Sequence, residues 1–532
     1  MKLRSMTPAL AGCLLCVAIS GHCHDPPQRP LGRVSFKSSC TPNAQMQLER
    51  GIAVLHSFWF SAAEATFRDV LIRDPGCAIA TWGIASALMS NPLAGQGASP
   101  REAERAQAAI DQGRKIGAKT GRERDYIEAV AAYYADYATR SERDRQSFRA
   151  IAFQQLAARY PDDNEAQIFA TLYSAATQQP SDQTYSAYLK AAASLEIQFA
   201  KYPGHPGIAN YLIHLYDAPQ LARKGLDAAR RYAAIAPDAP YPLHIPSHIF
   251  NRLGEWEASA ATNHLSVESA QRAGDSDGAY HAADYLVYAN LQMGRDAEAR
   301  KDIEIVNRIV ADPVRPGAPY AKGAMAARFA VERGAWREAM QLPAPMVNAK
   351  FPYIASITYF ARALGAARAG DIAVAAKDAA QIAELQSELA QAKNGYWATE
   401  VEVQKLAANA WIALARNDSK EAIGLMRTAA DMEDSYERRV DTPGRILPAR
   451  ELLGDLLMET NLPAEALREY EASQAREPNR FRGLYGAARA AEASGDRAKA
   501  ERYYERLLAM TRNADGNRPE LLAAKAFGQG KP

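Results

Sequence analysis

Four of the nine histidines in this chain, His214, His244, His248 and His281, fall in a short central stretch at related spacings. Counting back from the turn glycine Gly254, His244 stands ten residues away and His248 six. From the next turn glycine, Gly294, Asp284 stands ten away, Tyr288 six and His281 thirteen. In the preceding unit a turn near Gln220 gives Asn210 and His214 the same offsets. Separations of three and four put such groups on one face of a helix. Neutral imidazoles gathered there would suit zinc, copper or iron. They would equally suit acid–base work on a small substrate, with Asp284 orienting a ring and Tyr288 donating a hydrogen bond. A polar ladder that only joins helices is the third reading.

The elements that must position these groups are helical hairpins. In PLHIPSHIFNRLGEW a first helix runs to Gly254 and a second opens at Trp256; Tyr280–Met293 and RDAEARKDIEIVNRI form the next pair around Gly294. Pro246 separates His244 from His248, so their i, i+4 relation is expected to be approximate. HPGIANYLIHLYDAPQ supplies the unit before. Asn251 is a further candidate beside these groups, and His56 would reach them if the stack of hairpins curls tightly. His205 and His264 fall outside the array and read as structural or surface residues. Trp59, Trp82 and Trp256 read as core at helix crossings.

Gly51, Ala63, Phe67 and Pro75 follow one another at offsets of 12, 4 and 8, and Ala466, Tyr470 and Pro478 repeat the last two; NLPAEALREYE returns 34 residues later as GDRAKAERYYE. On these residues the chain resembles the tetratricopeptide repeat superfamily. LHSFWF, HPGIANYLIH, LHIPSHIFNRLGEW and YHAADYLVYA are similar to a largely uncharacterised family of exported bacterial tetratricopeptide proteins, over nearly the full mature length. The resemblance implies an all-α solenoid of stacked antiparallel helix pairs whose first helices line a concave groove. It also implies histidines at the Asn210 position and near Arg439, which this chain lacks. ADPVRPGAPY is the expected joint between two solenoid halves, giving units over 42–310, 311–320 and 321–520, with a tail over 521–532.

At 532 residues and 48% hydrophobic content the chain can bury a large core. With 63 basic against 61 acidic residues its net charge of +2 argues against nucleic acid as partner. MKLR, an apolar stretch and Ala18-Ile19-Ser20 read as a signal peptide over 1–20, followed by a leader over 21–41 and export to the periplasm or beyond. Leu10-Ala11-Gly12-Cys13 offers a lipobox as the alternative anchor. No later segment approaches the roughly 18 apolar residues that span a bilayer. In an oxidising compartment Cys40 and Cys77 could pair. No His-Glu-x-x-His, Gly-x-Ser-x-Gly or phosphate loop occurs. Two functions follow: a scaffold that captures a protein, peptide or small ligand in its groove, or a protein whose groove holds a metal ion on His214, His244, His248 and His281, with His56 a more distant candidate.

Overall fold

The computed structural model describes residues 31–529, apart from 96, 180, 238, 311–315, 440 and 441. The expected signal peptide, Cys13, residues 21–30 of the leader and residues 311–315 of the joint lie outside the described residues. Every regular element described is helical, from Pro42–His56 to Pro519–Gly528. Short turns join helices that pack on their neighbours in sequence, which makes each pair antiparallel and the stack a tetratricopeptide-like solenoid. No described helix is long and apolar enough to cross a membrane.

The repeat signature has a direct packing cause. A Cβ at Gly51 would lie 2.8 Å from the Phe67 ring and one at Gly83 2.5 Å from it. Phe67, on the Phe60–Arg73 helix, is therefore clamped between the first helices of two successive units, and only glycine leaves room. At the other end Tyr470 occupies the same slot between Gly454, where a Cβ would come within 2.7 Å, and Gly486. The same offset at both ends places one device on both halves. Asp74 ends the Phe60–Arg73 helix and accepts from Thr41 N at 2.8 Å and Gly76 N at 3.0 Å; beside it Cys40 and Cys77 form a disulfide with Cα atoms 4.8 Å apart.

The two halves touch. The last repeats fold back onto the helices that carry the histidines. Trp256 Nε1 donates to Asn479 O at 2.6 Å, Phe481 N to Gln292 Oε1 at 2.8 Å, and the amides of Ala297 and Glu298 to the Asp515 carboxylate at 3.1 Å. Gly254, at φ 67°, meets the Pro478 carbonyl, so this turn needs glycine for its conformation and for the close approach. The expected tail begins within the helix Pro519–Gly528, whose Leu521 and Ala524 are buried against the C-terminal core.

The concave side is not an open groove. Residues 436–439 and 442–448, without helix, cross it, and 442–449 are buried throughout. Arg438 reaches Asp217, Thr442 O accepts from Tyr285 Oη at 3.1 Å, and Gly444 O accepts from Arg328 Nη2 at 2.6 Å. We call this segment the strap.

Candidate metal centre

Four helices bring the imidazoles together. Pro206–Leu215 carries Asn210 and His214, Pro240–His244 and Pro246–Leu253 carry His244, His248 and Asn251, and Ser276–Gln292 carries His281, Asp284, Tyr285 and Tyr288. Pro246 interrupts the second of these elements because it has no N–H for the carbonyl four residues back. Ile245 nevertheless stays right-handed helical at φ −52°, ψ −36°. His244 and His248 therefore remain one turn apart on one face, and their Nε2 atoms stand 3.1 Å apart.

The hydrogen bonds behind the rings decide what that distance means. Asn263 Nδ2 donates to Ser259 O at 2.8 Å, which fixes its amide with Oδ1 toward His244 Nδ1 at 2.7 Å. His244 thus carries its proton on Nδ1. His248 Nδ1 lies 2.9 Å from the Asp217 carboxylate and carries its proton there too. The Tyr285 hydroxyl, 3.4 Å from His248 Nε2, donates to Thr442 O at 3.1 Å, so in the neutral rings the two Nε2 lone pairs face each other. Such a pair repels unless a proton or a cation lies between them. Burial pushes the His244 ring well below the usual histidine range, and the neighbouring His281 and His248 lower it further, which disfavours the proton.

His281 completes a set in which one ligand atom from each of His244, His248 and His281 lies within 4.8 Å of the others. Its ring centroid is 4.4 Å from that of His244. Tyr285 stands edge-on to His244, and its hydroxyl lies 3.4 Å from His248 Nε2. Two imidazoles on one zinc-sized ion at about 2.0–2.1 Å would have their nitrogens about 3.3 Å apart in a tetrahedral array. The observed 3.1 Å is close to that bite.

Asp217 is the hub behind this set. It takes His248 Nδ1 on one oxygen and Arg252 Nε at 2.7 Å on the other, where Arg438 of the strap also arrives at 3.4 Å. Burial alone would raise its carboxyl; Arg438, Arg252 and the His248 hydrogen bond outweigh that and hold it well below the usual carboxylate range. It stays ionised, and it sets the tautomer of His248.

Several expected members stand elsewhere. Asp284 does not orient an imidazole: it pairs with buried Arg328, and Asp217 takes the role assigned to it. The reason is helical phase. From His281, Tyr285 is offset by about +40° and Asp284 by about −60°, so Tyr285 turns to the rings and Asp284 toward Arg328. Tyr288 bonds Arg480, which Glu332 and Glu451 hold at 2.7 Å each. Asn251 accepts from Ser259 Oγ at 2.6 Å, and Asn210 donates to His56 O at 2.8 Å. His214 packs its ring on His248 with centroids 5.2 Å apart but lies outside the three-histidine set. Its ring is also stacked by Phe58, which holds a left-handed φ of 57° in the first turn. Burial, and then the proximity of His248, pushes the His214 ring down to about 3.

His56 does not reach these rings. It belongs to a second buried cluster with Glu165 and His205, a residue that sequence had placed with the structural or surface ones. His205 Nδ1 accepts from Ile208 N, so its Nε2–H donates to Glu165 at 3.0 Å. The other Glu165 oxygen takes His56 Nε2 at 2.7 Å, and Tyr211 Oη lies 2.7 Å from His56 Nδ1. Each ring nitrogen there has a partner and no two lone pairs converge. This cluster is a satisfied polar joint between helices.

Asp217, Asn263 and Tyr285 were missed from sequence. Tyr285 had a signal, four residues after His281; Asp217 and Asn263 are ordinary polar residues until the fold turns them to the rings.

No family profile and no curated protein sequence matches the chain. Among solved structures it is similar to the Cut9–Hcn1 hetero-tetramer of the APC/C, at 12% identity over 91% of this chain and 96% of that one, with a TM-score of 0.32. It is also similar to yeast Tom70, at 10% identity over 92% and 96% of the two chains, with a TM-score of 0.34. Likeness at this level adds nothing to the helix pairs and clamped aromatics described above.

Proposed function

We propose that this chain is a helical-repeat protein that holds one transition-metal ion between His244, His248 and His281. The facing Nε2 lone pairs, fixed by Asn263 and Asp217 behind them, carry this reading. Neutral nitrogen donors in a buried site suit zinc, copper or another borderline ion rather than calcium or magnesium. The Asp217–His248 contact is the usual support of a metal-bound imidazole. A leader with export signals and the Cys40–Cys77 bridge together favour an oxidising compartment, periplasmic or outside the cell. Titration with Co(II) tests the reading. One equivalent should bind with ligand-field absorption, and the His244→Ala/His248→Ala double variant should remain colourless while folded.

Capture of a peptide or protein partner is the second reading, and the strap favours it. The concave face already accommodates a helix-free length of its own chain, anchored by main-chain carbonyls at Thr442 and Gly444. A partner bound there would displace or extend the strap, and limited proteolysis at 436–448 would change when it is added.

A further inference from the structure

The Pro206–Leu215 helix presents two buried side chains whose hydrogen bonds are incomplete. His214, 3% exposed, has no partner on either ring nitrogen, and Asn210, 0% exposed, has none on Oδ1. They are one turn apart, so they share a helix face. Each ring nitrogen of His244 and His248 has a polar neighbour, as do both rings of the His56–Glu165–His205 cluster. His214 differs from these rings in having none. Buried polar atoms are nearly always satisfied, and leaving one bare is costly.

The place of His214 says what would satisfy it. Its ring is edge-on to His248, one of the three proposed ligands, yet it lies outside the ligand set itself. Phe58, at a left-handed φ of 57°, stacks on the same ring with centroids 5.4 Å apart. Three imidazoles leave an ion of this class an open coordination position. A neutral imidazole packed against one of the ligands offers one N–H and one lone pair to a molecule that fills the open position.

We propose that the site takes a small exogenous ligand, of the size of water or a small inorganic anion, at the open position of the ion, with His214 donating a hydrogen bond to it. This rests on the metal reading above. His214 is then a residue that selects and holds the ligand rather than a fourth metal donor.

Azide binding to the cobalt-loaded full chain tests this. His214→Phe keeps a ring of similar size without donors, and His214→Gln keeps a donor. Both variants should load one equivalent of cobalt as the unsubstituted chain does. Azide should bind His214→Phe at least about tenfold more weakly, the loss expected of one hydrogen bond in a buried site, and His214→Gln should recover most of that. Equal azide affinity in all three forms would overturn the inference while leaving the metal reading intact. Loss of cobalt from folded His214→Phe and His214→Gln would also overturn it, because His214 would then be a ligand. Failure of the unsubstituted chain to take up cobalt would remove the metal reading and this one with it.

Discussion

Arg438 and Asp217, 221 positions apart in sequence, meet at 3.4 Å across the concave face. The strap and the histidine set therefore share one carboxylate, since the other Asp217 oxygen holds His248. Arg438→Met keeps the length of the side chain and removes its charge. Asp217 keeps Arg252 and His248, so the expected loss is about 1–3 kcal/mol, less than for a fully orphaned buried ion. Urea unfolding measures it; a loss below about 0.5 kcal/mol would show the strap to be dispensable for stability.

Gly444 of the strap packs tightly against the histidine-bearing helix Ser276–Gln292. A Cβ there would lie 2.6 Å from the Tyr288 hydroxyl. Gly444→Ala should cost about 1–3 kcal/mol. In a Tyr288→Phe background the same substitution should cost less, because the nearest clashing atom is gone and only the ring carbons, from 2.9 Å, remain. Equal costs in both backgrounds would place the strain elsewhere.

How much of this was legible in the sequence follows from the range of the interactions. Phe67 and Tyr470 announce the repeat because their partners are glycines at fixed short offsets. The grouping of His244, His248 and His281 was legible for the same reason, through helix periodicity and turn glycines. Asp284 misled because an offset of three and one of four look alike on paper and differ by about 100° in space. The strap left no trace beyond the histidine that the resemblance places near Arg439: Arg438, Thr442 and Gly444 acquire meaning only when chain closure brings them to Asp217, Tyr285 and Arg328. His56 could not be placed either, since its partner Glu165 stands 109 residues away.

The Cys40–Cys77 bridge closes a loop with a sequence separation of 37. Restricting the unfolded chain over that length is worth about 3–4 kcal/mol in the loop-entropy picture. Denaturation under a reductant that does not bind metals should show a loss of that order. An unchanged midpoint, with the bridge shown open by mass, would contradict it.

Asp302 provides a pH signature away from the metal site. Burial raises its carboxyl to about 6, partly offset by the hydrogen bond from Asn290 at 2.8 Å. The folded form then keeps its proton where the unfolded chain, with a carboxyl near 4, has lost it. Its contribution is full below pH 4 and lost as pH rises toward 6, so stability should fall by about 1–2 kcal/mol across that interval. Asp302→Asn should flatten that part of the profile. A profile unchanged by the substitution would assign the slope to other groups.

The central claim is that His244, His248 and His281 hold an ion. Elemental analysis of the chain, purified without a tag or chelator, tests it most directly when compared with the His244→Ala/His248→Ala variant. We expect close to one equivalent of a transition metal in the first and a small fraction of that in the folded variant. A metal-free chain that also fails to take up zinc, cobalt or copper on addition would contradict the account, and the two facing nitrogens would then share a proton.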